Sequence, residues 1–507
     1  MSELYLHGAE IVEVDDGSRA ISTVRSSVIG LVGTAPDAAP EVKATLVTGT
    51  VTANNSLTFT SKLYGALGND ITVHFKDPRA NSAELAVTTF GKAITVSLGT
   101  GSTGAVTTTA AQVITAIGAN TKATAMVNVA NTGVSTGVGV VAAVYRGIAL
   151  ADGEDEPFPL NKPVLVAGDQ KKSAKLGAAG SLFKAMNGIF AQVGAVVVVV
   201  RVEEGEDEIE TMANVAGGVD TATGNYLGAY AFLGSETTNG FCPRILIAPG
   251  WTHQYDQLTN ANPVVAQLQG IANRLRATVI ADGPNTNDDD AIQARKNYGS
   301  KRVFYHDVFY TVLDSDGSTI HVPASSYIAG LIARIDNTEG FWVSPSNHEI
   351  YGILGTERPI DFTLGDTASR ANLLNEIEVA TTIRKEGFKL WGNRTCSDDA
   401  KWAFLSVVRT ADMINDSILQ AHMWAVDRNI TRTYFDDVSA SVNAYLSRLK
   451  AQGAIAGGKC WPDADLNTKE NIAAGMAFFD FDFSAYPPAE RVTFRSKLTD
   501  NYLEEVV

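Results

Sequence analysis

Three glycines have the spacing of a dinucleotide-binding fingerprint, in which the missing side chains let the backbone approach a pyrophosphate. They are Gly99, Gly101 and Gly104, between a predicted strand and the helix-like run 109–117. The fingerprint also needs an acidic residue about twenty positions further on to bind a ribose hydroxyl. The first acidic residue after the glycines is Asp152. We therefore interpret the glycines as a turn and predict no bound cofactor.

Metal coordination would need histidine, cysteine or carboxylate side chains that converge on one ion. The histidines do not repeat at i, i+4 or short-loop spacing; they are His7, His74, His253, His306, His321, His348 and His422. Asp314-Ser-Asp316-Gly317 resembles the start of a calcium loop, but no glutamate occupies the last ligand position. Strand-like runs at 309–313 and 319–322 flank it, so a hairpin turn is the better interpretation. We predict no metal site.

Nucleophilic catalysis finds little support in the residue pattern. Cys242, Cys396 and Cys460 are far apart and odd in number, which fits a reducing compartment rather than a disulfide framework or paired metal ligands. The chain contains no Gly-x-Ser-x-Gly nucleophile elbow. Unrelated folds order Ser, His and Asp differently, so a hydrolase triad stays open as an alternative. The prediction is a protein that is not an enzyme.

The charge balance argues against nucleic acid and membranes as partners. The formal net charge is −16, and no segment concentrates lysine and arginine as a phosphate-binding groove or a membrane-surface patch requires. The N-terminus is acidic where a secretory signal is basic, and the apolar runs are too short or too polar to span a bilayer. A secreted β-rich adhesin, a further alternative, therefore lacks its expected signal.

The elements that position these residues begin with short apolar runs typical of buried strands. The runs are Val28–Thr34, Pro163–Gly168, Ala195–Val202, Arg244–Ala248 and Arg276–Ala281. A helix is predicted over residues 174–192. This order of strands and helix predicts an α/β core with a parallel or mixed sheet over residues 26–37 and 154–370.

Residues 38–153 differ in composition from the core that they interrupt. They are rich in Thr, Ala, Val and Gly, and no acidic residue occurs from Leu85 to Ala151. Alternating runs at 56–60, 70–75 and 93–98, separated by glycines, predict half-buried strands. We expect an inserted, mostly-β domain.

Residues 371–487 are predicted to form an α+β C-terminal domain. Ser397 is the predicted N-cap of a long amphipathic helix that begins near Ala400. A second amphipathic helix is predicted from Phe435 to Leu449. Residues 477–483 alternate phenylalanine with aspartate, which is typical of a strand.

Both ends of the chain, residues 1–25 and 488–507, are predicted to be extended strand arms. Each alternates apolar with polar residues and has no obvious partner strand within the chain. Such arms are expected to pair with neighbouring subunits. The apolar residues expected in these contacts, one of them on the strand before the second arm, are Ile11, Val12, Val14, Ile21, Val24, Phe481, Val492, Phe494 and Leu498.

Three stretches resemble the tail sheath proteins of P2-like contractile phages: HGAEIVEVDDGSRAISTVRSSVIGLVGTAPDA, FPLNKPVLVAG and GFKLWGNRTCSDDAKWAFLSVVRTADMINDSILQAHMWAVD. The resemblance implies a structural subunit that polymerises around a tail tube and contracts to drive the tube through the bacterial envelope. It implies a helical homo-oligomer of six-fold rings, with the tail tube, baseplate and tail terminator proteins as partners. The expected location is the virion tail after assembly in the host bacterial cytoplasm. A phage-derived bacteriocin or injection system is the alternative setting.

The resemblance also distributes roles among the domains. The C-terminal domain is expected to face the tube through Arg409, Arg428 or Lys450, unless the helices that carry them only pack within the domain. SKLYGALGNDITVHF and TAAQVITAIGAN resemble the β-rich outer domain of larger phage sheaths. The shortest P2-like sheaths pass almost directly from the first core strand to PLNKP. Residues 38–153 are therefore expected to decorate the outside of the tail.

Overall fold

The computed structural model describes residues 20–314 and 316–500. Its strands are β1 (Ile29–Thr34), β2 (Lys43–Thr48), β3 (Leu57–Tyr64), β4 (Thr72–Lys76), β5 (Ala86–Phe90), β6 (Ala93–Ser97), β7 (Val127–Asn131), β8 (Ile148–Ala149), β9 (Pro163–Ala167), β10 (Val196–Val202), β11 (Gly218–Val219), β12 (Tyr226–Leu227), β13 (Ile245–Ile247), β14 (Thr278–Asp282), β15 (Val303–His306), β16 (Tyr310–Leu313), β17 (Thr319–Val322), β18 (Gly355–Thr356), β19 (Thr381–Arg384), β20 (Phe388–Trp391), β21 (Ile455–Pro462) and β22 (Phe479–Ala485).

The α-helices of the same residues are α1 (Ala110–Ala119), α2 (Thr121–Met126), α3 (Gln170–Ala174), α4 (Leu182–Gln192), α5 (Glu208–Ala216), α6 (Ser235–Asn239), α7 (Pro263–Leu275), α8 (Asp288–Arg295), α9 (Ser325–Thr338), α10 (Arg370–Glu376), α11 (Leu405–Ala421), α12 (Arg432–Ala451) and α13 (Lys469–Ala473). The elements divide into two compact units. The larger comprises residues 20–36, 160–173 and 178–500 of the described part, and the smaller comprises residues 37–159 and 174–177.

The larger unit is built on a six-stranded sheet in the order β15-β14-β13-β1-β10-β9. Five of these strands are parallel, and β9 pairs antiparallel with β10 at the edge. Every residue of β1 is buried, as expected for a strand covered on both faces. The predicted α/β core is confirmed, and its sheet is mixed because of β9.

The helices of the larger unit differ in one place from the prediction. α5 and α7 pack on one face of the sheet in a cluster of buried apolar side chains. The helix predicted over 174–192 is wrong in its first half, since α3 ends at Ala174 and α4 begins at Leu182. Gly177 and Gly180 between them have φ values of 77° and 81°, which a continuous helix cannot contain.

The aspartate-rich loop of the larger unit is a turn. β16 and β17 pair antiparallel on either side of it, and the amide of Asp314 donates to the carbonyl of Ser318 at 2.8 Å. The predicted hairpin is confirmed.

The smaller unit contains two sheets, β2-β3-β7 and β5-β6-β4-β8, together with α1 and α2. The three glycines of the apparent fingerprint lie in a turn between β6 and α1, where the amide of Gly101 donates to the carbonyl of Ala105 at 2.8 Å. α1 then begins with a capping box formed by Thr109 and Gln112. The interpretation of the glycines as a turn is confirmed.

In the C-terminal part of the larger unit, α11 and α12 pack against the two-stranded sheet β21-β22. The helix predicted from Phe435 to Leu449 is confirmed and lies inside α12. The N-cap predicted at Ser397 is wrong. Asp399 Oδ1 instead accepts the amide of Lys401 at 2.9 Å and starts a 3₁₀ turn, so that α11 begins only at Leu405.

Candidate inter-subunit surface

The hairpin of β21 and β22 has one apolar and one polar face. Side chains alternate along a strand, so the three phenylalanines of β22 share one face and its two aspartates share the other. The phenylalanines pack against the buried cluster under α11 and α12, whereas Asp480 and Asp482 are exposed. Phe481 lies opposite Cys460 in the register. Phe481 therefore lies on a strand that already pairs within the chain, and its expected part in a contact with a neighbouring subunit stays a prediction.

The two outer edges of this hairpin are not equivalent. Asn443 of α12 donates its Nδ2 to the carbonyl of Cys460 at 2.9 Å, and its Oδ1 accepts the amide of Cys460 at 2.8 Å. Both backbone groups of Cys460 therefore point away from β22. By the alternation of an antiparallel ladder, the backbone groups of Phe479, Phe481 and Phe483 point away from β21. Since the sheet has two strands, these groups have no strand partner among residues 20–314 and 316–500.

The exposed face of the hairpin concentrates negative charge. Desolvation, followed by the charge of Asp463 and a hydrogen bond with it, raises the pKa of Asp480. Asp482 Oδ1 accepts the amide of Lys459 at 2.9 Å. A cation beside this face would relieve the repulsion between the carboxylates.

The C-terminal tail of the chain, which follows β22 and is described from residue 486 to residue 500, is extended and exposed. Arg394 holds Glu490 through two charged hydrogen bonds of 2.7 and 2.6 Å. From there to residue 500 the chain forms no strand, so the strand expected around residues 492–497 is absent from the isolated chain. The side chains of Val492, Phe494 and Leu498 are 67%, 91% and 101% exposed. Apolar side chains left in water in this way mark an interaction site.

Residues 20–25 of the N-terminal arm lie within the described part of the chain. Ile11, Val12 and Val14 lie outside the described residues, so their contact with a neighbour stays a prediction. Ile21 and Val24 lie in irregular backbone, with Ile21 buried and Val24 packed against the same cluster under α11 and α12. The amide of Val24 also donates to Ser417 Oγ at 3.0 Å. Helices of the same chain thus cover Ile21 and pack against Val24, and the predicted contact of both residues with a neighbour stays a prediction.

The three basic residues expected to face a tube have different surroundings. Arg409 is 3% exposed and binds Asp336 through hydrogen bonds of 2.7 and 2.5 Å. The prediction for Arg409 is wrong, because a guanidinium buried in an ion pair cannot reach a partner. Arg428 and Lys450 are exposed and stay predictions.

Ion pairs between α11 and the starts of three core strands, β13, β14 and β15, were missed by the sequence reasoning. Asp416 pairs with Arg244 and Arg276, and Asp412 pairs with Arg302. Burial raises the pKa of Asp412, and the hydrogen bond and charge of Arg302 act in the opposite direction. The available signal was the presence of two aspartates, four residues apart, beside the apolar stripe of α11.

The cysteines and the buried histidine are in unreactive forms. Burial raises the pKa of the Cys396 thiol to about 12 and that of the Cys460 thiol to about 11, which disfavours the nucleophilic thiolate. Burial lowers the pKa of His306 to about 3, so this side chain is neutral. Within the described ranges, no three His, Cys, Asp or Glu side chains lie together as metal ligands. No helix in those ranges has the length and apolarity to cross a membrane.

Comparison with known protein families gives three matches along the chain. Residues 136–202 match the tail sheath protein Gp18 domain III N-terminal region, residues 221–396 the phage tail sheath protein central domain, and residues 397–499 the phage tail sheath C-terminal domain. These ranges include the β21-β22 hairpin and the chain that follows it as far as residue 499.

Curated relatives are similar over most of their length. A prophage major tail sheath protein of Pseudomonas aeruginosa UCBPP-PA14 is 43% identical, over 68% of this chain and 88% of the relative. The tail sheath protein of Escherichia phage P2 is 34% identical, over 70% and 90%. The tail sheath protein of Burkholderia phage BcepMu is 28% identical over 99% of this chain and 98% of its own.

Solved structures share the fold at low sequence identity. The baseplate structure of the anti-feeding prophage, 6-fold symmetrised, contains a chain with a TM-score of 0.51 and 17% identity, covering 68% of this chain and 92% of that one. The helical sheath of the same particle in its contracted state gives 0.51 and 17%, covering 67% and 89%. Family profiles, relatives and fold agree: the chain belongs to the phage tail sheath protein family and is a structural protein of a contractile tail.

Proposed function

We propose that this sheath protein polymerises by adding the C-terminal tail of one copy to the β21-β22 sheet of another. The observation that carries the proposal is an unfilled strand edge and an exposed, alternating tail in the same chain. An open edge and exposed apolar side chains are both unfavourable in an isolated chain. Strand addition removes both at once, with main-chain hydrogen bonds giving affinity.

The geometry of the tail supports a contact between copies. Glu490 is held by Arg394, so the reach of the tail is counted from there. Residues 491–500 can extend about 33 Å at the rise of a strand. Each copy then donates its tail to one neighbour and accepts the tail of another neighbour at its own hairpin. Such a head-to-tail contact generates a helical lattice when the rotation between copies does not close into a ring.

We assign the remaining parts by the same proposal. Residues 26–37 and 154–370 form the sheath core, residues 371–487 an inner domain that faces the tail tube, and residues 38–153 an outer domain. Arg428 and Lys450 are the proposed tube-facing residues, a role that their exposure supports. The N-terminal arm, residues 1–25, pairs with another neighbour through Ile11, Val12 and Val14.

We further propose that the polymer surrounds the tail tube in an extended packing and contracts to drive the tube through the bacterial envelope. Baseplate proteins lie at one end of the polymer and tail terminator proteins at the other. The polymer is built of six-fold rings. The fold likeness to a contracted helical sheath and to a six-fold baseplate supports this assignment. Assembly takes place in the host cytoplasm and the product is part of the virion tail. The same likeness keeps a phage-derived injection system as a second setting.

The proposal is tested by removing the apolar side chains of the tail. The triple variant Val492→Ser, Phe494→Ser and Leu498→Ser should stay folded, because these side chains are 67%, 91% and 101% exposed. It should form no sheath-like tubes under conditions where the unchanged protein does. Electron microscopy and sedimentation measure polymer, and circular dichroism measures folding.

A matched control removes equally exposed apolar side chains elsewhere. Phe90, Val134 and Tyr145 are 90%, 85% and 90% exposed in the smaller unit, so their replacement by serine changes surface hydrophobicity to a similar extent. This control should polymerise normally. Tubes formed by the tail variant at the control's concentration would refute strand addition by the tail.

A further inference from the structure

The smaller unit has a sheet face that its own core does not cover. In the sheet β5-β6-β4-β8, successive side chains of each strand point to opposite faces. Val73 and Phe75 of β4 and Ile94 and Val96 of β6 point to one face and are buried in the core of the unit. The alternate residues of β4, β5 and β6 point to the other face, where each is half-buried or exposed. We call this second surface the open face.

The open face is rich in hydroxyl groups and poor in charge. Four of its side chains carry a hydroxyl group, and none of these groups forms a hydrogen bond with another of the residues that the structure describes. They are Thr72, Thr88, Thr95 and Ser97. The ionisable side chains of the face are His74 and Lys76, and no acidic residue occurs from Leu85 to Ala151. The face therefore offers hydrogen-bond donors and acceptors without a concentrated charge.

Two aromatic residues lie at opposite edges of the open face. Phe90 is 90% exposed, and the strand register places it on this face together with Thr72. Tyr145 is also 90% exposed, and it follows Val144, whose carbonyl oxygen lies 3.1 Å from His74 Nε2 at the far side of β4. β5 and the strand position beyond β4 are three strand spacings, or roughly 14 Å, apart. Large rings left in water in this way mark an interaction site.

The size of the open face argues for a small, extended ligand. Four strand positions and five residues along each strand cover roughly 300 Å² at the spacings of a β-sheet. A stable protein–protein interface buries about 800 Å² on each partner. A second copy of this chain would therefore need much more contact surface than the open face supplies. A ligand that spans the two aromatic residues would cover most of it.

The chemistry of the face selects among small ligands. A polyanion needs clustered lysine and arginine side chains, whereas Lys76 is the single exposed cation of β4, β5 and β6 on this face. A cationic ligand needs carboxylates, and a purely aliphatic ligand would bury the hydroxyl groups without hydrogen bonds. An uncharged saccharide satisfies both surfaces, because its hydroxyl groups can bond to Thr and Ser while its C–H faces stack on aromatic rings.

We propose that the open face of the smaller unit binds an uncharged oligosaccharide that extends between Phe90 and Tyr145. The four hydroxyl side chains of the face are its hydrogen-bond partners. A shallow site of this kind is weak in a single chain, and its repetition along a polymer raises the overall affinity by multivalency. Only this gain from repetition rests on the proposed function; binding by the unassembled chain does not depend on it.

Removing the two rings from the full, unassembled chain tests the inference. The probes are immobilised maltohexaose, cellohexaose, chitohexaose and bacterial O-polysaccharides, with heparin as the polyanion. The unchanged protein should bind at least one of the uncharged probes, and isothermal titration with that probe gives its affinity. Phe90→Ser with Tyr145→Ser should weaken this binding about tenfold or more, because the rings supply most of the apolar contact. Circular dichroism should show an unchanged fold.

Two further variants separate the open face from general surface effects. Val134→Ser with Val138→Ser removes side chains that are 85% and 67% exposed in a loop of the same unit, and it should leave the affinity unchanged. Thr88→Val with Thr95→Val keeps the shape of two facing side chains and removes their hydroxyl groups. Its affinity should fall about fivefold, as expected for the loss of one or two hydrogen bonds.

The other outcomes would overturn the inference. They are binding to none of the uncharged probes, an equal loss of affinity in the Val134 and Val138 control, and an unchanged affinity in the ring variant. Binding to heparin alone, weakened by salt, would assign the face to polyanions. Self-association of the unassembled chain that the ring variant abolishes would assign it to a second copy. The serine variant of the tail should bind the oligosaccharide normally while forming no tubes, so failure of this inference and failure of the proposed function are distinguishable.

Discussion

Arg409 and Asp336 form a buried ion pair whose side chains are 4% and 1% exposed. The pair joins α11 to α9, and Arg409 also donates to the carbonyl of Ser26 at 3.2 Å. Transferring two charges from water into a protein interior costs several kcal/mol, which close contact and further hydrogen bonds offset. Removing one partner leaves the other charge buried without compensation. The side chain is therefore structural rather than part of a binding surface.

Replacing Asp336 with Asn should lower the free energy of unfolding by about 3 kcal/mol or more, because Arg409 stays buried without a counter-charge. Guanidinium unfolding of the unassembled chain measures the change. Glu339→Gln is a matched control at the end of the same helix, where Glu339 pairs with His348 at 3.3 Å and is 48% exposed. An exposed pair contributes little, so the control should change stability by less than about 1 kcal/mol. Equal effects of the two substitutions would contradict this account.

At the level of helices and strands, the crossing of α4 and α9 depends on glycine. A Cβ at Gly188 of α4 would lie 2.6 Å from Ser326 Oγ and 2.7 Å from the ring of Tyr327, both in α9. At Gly330 of α9 it would lie 2.8 Å from the carbonyl of Ile189. The two backbones therefore approach to a distance that a side chain on either glycine would prevent. Because α4 contacts β1 and α9 contacts β13 and β14, this crossing supports one side of the central sheet.

Gly188→Ala should lower the thermal midpoint, since the added methyl group displaces packed atoms at a cost of about 1–3 kcal/mol. Gly270 in α7 provides the opposite case, because nothing lies within 4 Å of a Cβ built there. Gly270→Ala should raise stability by about 0.5–1 kcal/mol through helix propensity. Differential scanning calorimetry of both variants measures the pair of shifts. A loss of stability in both, or in neither, would show that packing at the crossing is not the cause.

In the whole molecule, the chain leaves the central sheet after β1 and returns to it at Leu160. β1 and Leu160 both pair with β10: Gly33 lies beside Arg201 on one side, and Leu160 forms a parallel bridge with Arg201 on the other. The exit and the return are thus about two strand spacings apart, or roughly 10 Å. A short linker can span that distance.

Replacing residues 40–157 with Gly-Ser-Gly-Ser should leave a folded larger unit, because the six-stranded sheet contains no residue from that range. By the proposed function the shortened chain should still form tubes. Circular dichroism and electron microscopy measure the two properties. A chain that folds but forms no tubes would give residues 40–157 a part in polymerisation. A chain that fails to fold would show that they are required by the core.

Periodicity and composition were enough to predict the core strands, the hairpin at Asp314 and the helix from Phe435 to Leu449. Each of these depends on a pattern that is complete within a few residues. The same local information failed at the helix predicted over 174–192, where Gly177 and Gly180 have positive φ. It failed again at Ser397, because several residues near a helix start can serve as its cap and the three-dimensional surroundings select one.

The partners of these elements required the three-dimensional structure. The alternation of phenylalanine and aspartate predicted a strand from 477 to 483, but not that β21 of the same chain pairs with it. Arg409 could face a partner or an interior, and the choice depends on Asp336, 73 residues away. Strand pairing and burial depend on contacts between distant residues, which a local pattern does not contain. The residues alone therefore predicted a family, an α/β core and a tail able to pair, whereas the open edge of β22 depends on the tertiary contact of Asn443 with Cys460.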